Sequence, residues 1–295
     1  MKAKWFVLLM VGVWVTSVNI NAAVLFSDSF NRADSLDIDA DSAGMGGSLG
    51  PLTYVEIGDD QIYPIQSGTG NPYPELTQVK DNQLYMAYGP NMSTMYLNHN
   101  FVDEDILTAG GMRIGLTIAQ NMGPSTTNQF FVGFGVGNTL QECENIWFDH
   151  NGTGFRGQLG TPSQTGVSDF WIGWSPANNG TIQVLKNGPT AKGGENYNLL
   201  TGVSLTGSDR LELELLFNAF TDGSIVNANI LWNGEVIGTD SFAWDADGLI
   251  ENYIGINGRQ GVGFIVDNLE IATIPEPITL TLLALGSLVT LRRRG

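Results

Sequence analysis

Short runs in which apolar and polar residues alternate recur along most of this chain. Met112, Ile114, Leu116 and Ile118 fall on one side of an extended segment, Arg113 and Thr117 on the other. Leu211, Leu213 and Leu215 alternate with Glu212 and Glu214 in the same way. A period of two, dry on one face and wet on the other, is the mark of an antiparallel sheet. The pattern predicts strands at Leu25–Phe30, Leu52–Ile57, Gln83–Tyr88, Thr94–Leu97, Met112–Ala119, Phe130–Val136, Ile146–Phe148 and Phe155–Leu159. It predicts further strands at Phe170–Trp174, Thr181–Leu185, Arg210–Phe217, Ile225–Leu231, Val236–Phe242, Tyr253–Ile256 and Val262–Ala272.

Turn signals separate these runs: Asn151-Gly152, Asn179-Gly180, Asn187-Gly188, Asp222-Gly223, Asn233-Gly234, Asp247-Gly248 and Asn257-Gly258. Asn, Asp and Gly tolerate the positive φ of tight hairpins. Between the two ends no segment reads as a long helix, and Val102–Ala109 reads as a short one. Strand following strand predicts an all-β fold: two stacked antiparallel sheets, a jelly roll or a related sandwich.

The ends read differently. Lys2 and Lys4 precede the apolar run Trp5–Val18, and Ala22 and Ala23 offer small residues for cleavage, so residues 1–22 are expected to be a secretion signal. Residues 274–295 open with Ile274 followed by Pro275-Glu276-Pro277, which stays extended and accessible because proline fixes φ and removes a donor. The uncharged Ile278–Leu291 suits a short helix of roughly 20 Å at 1.5 Å per residue, less than a bilayer core of about 30 Å. Arg292, Arg293 and Arg294 would hold that end in the cytoplasm.

This ordered trio of Pro-Glu-Pro, short apolar span and arginine cluster resembles the PEP-CTERM sorting signal of Gram-negative bacteria. Ile278 stands where many members have Ser or Thr. The resemblance implies processing by the membrane enzyme exosortase and transient insertion in the inner membrane. It also implies a final place in the cell envelope or the extracellular polysaccharide.

Removing both ends sharpens the charge. The whole chain carries −17; residues 24–274 keep 8 of the 13 Lys+Arg and 29 of the 30 acids, hence −21. An acidic bias of this size argues against nucleic acid or an anionic membrane surface as partner. With 15% charged residues and 10% aromatic, the segment is expected to fold. No linker, charge block or fixed-period repeat divides it, so residues 23–273 read as one large β domain. The single Cys143 rules out an internal disulfide.

A second resemblance covers that domain. Phe26-Ser27-Asp28-Ser29-Phe30-Asn31-Arg32-Ala33 is similar to the opening of LamG-like, concanavalin A-like domains. Phe264-Ile265-Val266-Asp267-Asn268-Leu269-Glu270-Ile271 is similar to their last strand. The resemblance implies that the first and last strands lie side by side, and it leaves function open among lectins, glucanases and plain interaction modules.

Candidate chemistry is sparse. Glu142-Cys143-Glu144 with Asp149 fails the Glu-x-Asp-x-x-Glu spacing of retaining glucanases on this fold. Glu212 and Glu214 share a face, which a solvated outer surface explains. His99 and His150 have no accompanying nucleophile. Asp37-x-Asp39-x-Asp41 places hard oxygens at alternate positions, a start for one structural calcium, but Ser42 and Ser48 stand where an EF-hand has Gly and Glu. Trp171 and Trp174 point to opposite faces of one strand, and an exposed one would stack on a sugar. The expectation is therefore a non-catalytic, exported sandwich that associates with glycan or another envelope component. A secreted glycan-active hydrolase and a purely structural matrix protein are the alternatives.

Overall fold

The computed structural model describes residues 22–57, 77–86, 92–122, 131–140, 143, 168–186, 195–244, 251–259 and 263–274. The signal, the tail, Glu142, Glu144, His150 and the predicted strands Ile146–Phe148 and Phe155–Leu159 lie outside these residues.

The regular structure of the described residues is almost entirely strand. In order come β1 (Val24–Asp28), β2 (Met45–Gly46), β3 (Tyr54–Ile57), β4 (Thr77–Lys80), β5 (Gln83–Met86) and β6 (Met92–Leu97). After the short helix α1 (Glu104–Thr108) follow β7 (Gly111–Asn121), β8 (Phe131–Asn138), β9 (Phe170–Ser175), β10 (Thr181–Lys186) and β11 (Glu195–Thr201). The last five are β12 (Asp209–Leu216), β13 (Ile225–Trp232), β14 (Glu235–Ala243), β15 (Tyr253–Arg259) and β16 (Phe264–Thr273). The predicted helix is present because Asp103 caps it, accepting from the Asp105 N–H at 2.6 Å. No helix of the described residues is long and apolar enough to cross a membrane.

Two antiparallel sheets stack as the alternation demands. The larger runs β14-β13-β12-β7-β16-β1-β2, with β5 pairing β16 and β4 pairing β5. The smaller runs β11-β10-β9-β8-β15-β6-β3. The first and last long strands do pair, Phe26 against Ile271 and Asp28 against Leu269. Leu211, Leu213, Leu215, Ile114 and Leu116 from one sheet meet Phe134, Ile172, Trp174, Ile182 and Ile256 from the other in one core.

Turn chemistry sets the hairpins. Asn233 and Gly234 join β13 to β14 with φ of 53° and 81°, the paired positive values that a two-residue hairpin requires. Asp81 and Asn82 do the same between β4 and β5, at φ 53° and 59°, without a glycine. One predicted turn is instead strand interior: Asn257-Gly258 lies within β15, and Asn257 is fully buried.

Candidate functional site

The outer face of the smaller sheet is built unlike the rest of the molecule. In register across it lie Gln183 of β10, Gly173 of β9, Gly133 of β8 and Asn257 of β15. The glycines leave a trough where side chains would stand. Trp171, one row away, lays its indole along that trough. A Cβ on Gly173 would come within 2.1 Å of the ring, and one on Gly133 within 2.6 Å. Phe131 meets the indole edge-on at 5.4 Å between centroids. The indole N–H donates to Asn257 Oδ1 at 2.8 Å, which is why an asparagine sits inside that strand.

Across the glycines from Asn257 stands Gln183, 2% exposed, with its Oε1 left without a hydrogen-bond partner. Such an atom costs about 1–3 kcal/mol when nothing donates to it. Tyr96, Phe131, Cys143, Trp171 and Leu185 make a second apolar cluster on this face, with Val55, Leu140 and Tyr253 packed against it. Beside it, Ser168 donates to Asn138 Oδ1 at 2.9 Å and Asn138 Nδ2 to the Tyr253 carbonyl at 2.7 Å. Gln183 Oε1 is thus an acceptor without a donor beside this apolar cluster, and both are closed off from solvent.

This geometry corrects the reading of the two tryptophans as sugar-stacking surfaces. They do point to opposite faces, but Trp171 is fully buried and Trp174 is 4% exposed. Trp174 belongs to the main core, and its N–H donates to the Val203 carbonyl at 2.8 Å. Neither ring offers a face to a ligand.

The aspartate loop is corrected as well. Asp37 Oδ1 accepts from the Asp39 N–H and Asp41 Oδ1 from the Ala43 N–H, each at 2.9 Å. Both oxygens of Asp39 accept from the Tyr54 N–H, at 2.9 and 3.0 Å. Burial raises the Asp39 pKa, with the Tyr54 amide pulling the other way. The carboxylates are spent on backbone turns rather than converging, and among the described residues no group of three His, Cys, Asp or Glu is placed to hold a metal. Asp37, Asp39 and Asp41 do not fit a calcium ion.

What fastens that loop is a cluster the sequence did not reveal. Asp28 is fully buried and takes the Arg32 guanidinium bidentately, at 2.7 and 3.0 Å. It also accepts from the Tyr54 hydroxyl at 3.0 Å and the Phe30 N–H at 2.7 Å. Burial, then the Asp28 charge, pushes the Tyr54 pKa well above its usual value, so the phenol stays a donor. Arg32 reaches on to the Ile38 carbonyl at 3.0 Å and the Ala43 carbonyl at 3.3 Å. The opening motif is therefore a clasp. Its signal in the sequence is an aspartate and an arginine four apart in a stretch otherwise apolar or small.

Glu212 and Glu214 lie on the outer face of the larger sheet as expected, but not as solvated carboxylates. Glu212 is 6% exposed, held by Arg210 at 3.3 Å and Arg113 at 3.9 Å. Glu214 takes the Arg113 guanidinium and the Asn229 amide. Arg210 lies flat over Gly115 and continues to the Asn268 carbonyl at 2.9 Å and to Glu270 at 3.7 Å. His99 packs edge-on against Phe101, and burial lowers its pKa. Both are structural roles.

No family model matches the chain, and no curated protein does. Among solved structures it is similar to an endo-1,3-beta-glucanase from Streptomyces sioyaensis, at TM-score 0.48 and 11% identity over 86% of this chain and 97% of that one. It is similar to alginate lyase Aly36B, at TM-score 0.45 and 10% identity over 85% and 97%. It is also similar to the metal-free carbohydrate recognition domain of Emp46p, at TM-score 0.44 and 9% identity over 75% and 88%.

Proposed function

We propose that this chain is an exported cell-surface or matrix protein whose sandwich holds a neutral polysaccharide without cutting it, at the outer face of the smaller sheet. In this reading residues 1–22 direct export. Pro275, Glu276 and Pro277 with Arg292, Arg293 and Arg294 then address the chain through an exosortase-type enzyme. The observation that carries the binding reading is the Gln183 carbonyl: buried, unsatisfied, and set in one row with Asn257 beside a packed indole. Buried acceptors are rarely left unpaired; Gln183 is 2% exposed, so in this reading the face must open to admit a sugar hydroxyl as the missing donor. A strongly acidic chain, at −17, favours a neutral polymer over an anionic one.

The test uses the full chain and Gln183→Leu in affinity gels cast with a panel of polysaccharides, with calcium and with a chelator. Loss of retardation in the variant, with its melting temperature held or raised, is expected. Unchanged retardation would remove the site. Reducing ends that rise with protein concentration would replace the reading with the hydrolase one. The address has its own check: mass spectrometry of extracellular material should find chains ending near Pro277. Recovery of nothing but chains that still carry the arginines would sink it.

A further inference from the structure

Strand alternation turns three polar side chains toward the interior of the sandwich. On β10, Lys186 has the parity of Ile182 and Val184, both buried in the main core. On β14, Asp240 has the parity of the core residue Phe242. On β11, Tyr197 lies opposite Val184. The three meet where the edges of the two sheets close on each other. Lys186 Nζ donates to Asp240 Oδ1 at 2.6 Å, and the Tyr197 hydroxyl donates to Asp240 Oδ2. The Ser241 N–H also donates to Oδ1, at 2.7 Å. Glu195 of β11 stands 3.5 Å from Lys186. The Lys186 and Asp240 side chains are only 14% and 13% exposed. Leu199 covers the seam beside them, so close over Gly238 that a Cβ there would meet it at 2.6 Å.

We propose that Lys186 and Asp240 condense into an isopeptide bond that ties the smaller sheet to the larger, with Glu195 as proton carrier and Tyr197 as donor to the developing oxyanion. The bond would join residues 54 apart and restrict the unfolded chain, as a disulfide does. A chain with the single Cys143 can make no internal disulfide.

At rest the pair is ionic. Burial disfavours both charges, but the bonds between them outweigh it, holding the Asp240 pKa below its ordinary value and that of Lys186 above. The reaction starts when one proton passes from Nζ to Oδ1 along their hydrogen bond, which leaves a neutral amine and a neutral acid. Desolvation makes that step less unfavourable than in water. The freed lone pair on Nζ then attacks Asp240 Cγ, and the electrons of the Cγ=Oδ2 bond move onto Oδ2. The Tyr197 hydroxyl already donates there, and burial, then its bond to Asp240, raises its pKa so that it keeps its proton. Glu195 takes a second proton from Nζ and passes it to Oδ1. The Cγ–Oδ1 bond breaks, Oδ1 leaves as water, and Cγ=Oδ2 re-forms. One ammonium and one carboxylate give one amide and one water; nothing is oxidised or reduced, and the net charge is unchanged. Fixed proximity drives the step, because partners held in contact react at effective concentrations far above any in solution.

The experiment maps the full chain by tandem mass spectrometry after denaturation and digestion, fresh and after long incubation at neutral pH. Expected is a branched peptide joining Lys186 to Asp240, lighter by one water than its two parts together, whose share grows with time. Lys186→Arg keeps the ion pair, but a guanidinium stays protonated and has no lone pair to attack with. That variant should melt cooperatively and give no branched peptide. The Glu195 side chain is 63% exposed, so Glu195→Gln spares the core. It should slow the cross-link by about a hundredfold. Parent chain held unfolded in urea should form none. A folded parent in which no branched peptide accumulates would overturn the proposal. So would a cross-link that forms as fast in Glu195→Gln or in urea, or one that joins Lys186 to Glu195 instead.

Discussion

The clasp at the start of the domain gives the sharpest stability test. Asp28 and Arg32 are a buried pair, with side-chain exposures of 0% and 1%. Taking away one member leaves the other charged in the core, which costs about 3–5 kcal/mol. The two halves are not equivalent. Arg32→Met leaves Asp28 with the Tyr54 hydroxyl and the Phe30 amide still donating to it. Asp28→Leu leaves Arg32 with two carbonyls alone, and strands the phenol and the amide, each orphan adding about 1–3 kcal/mol. Tyr54→Phe removes a single donor and should cost about 1–2 kcal/mol. The expected order of loss is therefore Asp28→Leu, then Arg32→Met, then Tyr54→Phe. For a domain of this size 1 kcal/mol moves Tm by about 2–4 °C, so Arg32→Met should melt roughly 6–20 °C low. Thermal unfolding followed by tryptophan fluorescence reads this directly. Arg32→Met within about 1 kcal/mol of the parent, or Tyr54→Phe more damaging than Asp28→Leu, would refute the account.

Other outcomes follow from single positions. Gly133→Ala should lose stability by about 1–3 kcal/mol through overpacking, because its Cβ meets the Ile172 carbonyl at 2.2 Å and the Trp171 ring at 2.6 Å. Gly50→Ala, with φ +72° but nothing within 4 Å, should cost about 1–2 kcal/mol from backbone strain alone and leave the tryptophan emission unchanged. Burial disfavours the Asp209 carboxylate, but bonds from the Thr206 amide, Asn233 and the Thr206 hydroxyl outweigh it and hold its pKa below 3.8. Its stabilisation is then complete above the unfolded value and lost as pH falls through the folded one, so Asp209→Asn should weaken the fold at pH 7 and flatten the acid limb below about pH 4. Asp39, raised by burial, has the opposite sign: Asp39→Asn should gain relative stability at pH 7 and lose that gain in acid, measured by melts across the same range.

How much of this was legible in the sequence depended on whether one residue carried its own signal. The strands around Ile114 and Leu213 declare themselves, because each apolar residue repeats at the sheet period and is fully buried. Asn233-Gly234 declares a hairpin for the same local reason. The strand Thr77–Lys80 was missed because its turn uses Asp81-Asn82, which adopt positive φ without a glycine to announce it. Glu195–Thr201 was missed because an edge strand need not alternate: its burial runs exposed, intermediate, intermediate, exposed along Glu-Asn-Tyr-Asn. Asn257-Gly258 misled because its asparagine answers a tryptophan 86 residues away, a partner no local window contains. The pairing of Asp28 with Arg32 was in plain view at four residues' separation, but only the long-range Tyr54 contact shows that it is buried.

The two outer faces of the sandwich bear on where a ligand would sit. On the larger sheet Arg113 and Arg210 answer Glu212, Glu214 and Glu270 among themselves, and Asn229 and the Asn268 carbonyl take the remaining bonds. A polar surface that already satisfies itself gains little by exchanging those bonds for a ligand's, since the net value of each exchange is about 1 kcal/mol or less. On the smaller sheet the balance is reversed. Glycines at 133 and 173 give up packing to seat one indole, and the row they occupy holds an acceptor with no donor. A hydroxyl that reached this acceptor would return about 1–3 kcal/mol, less the cost of opening a face on which Gln183 is 2% exposed. A weak site of that kind becomes effective when many copies meet a repeating polymer. Changing Arg113 to Ala should lower stability and leave polysaccharide retention intact, whereas Gln183→Leu should do the reverse. Melting curves and affinity gels on the two variants, run side by side, decide it, and retention lost with Arg113 rather than with Gln183 would move the site to the other face.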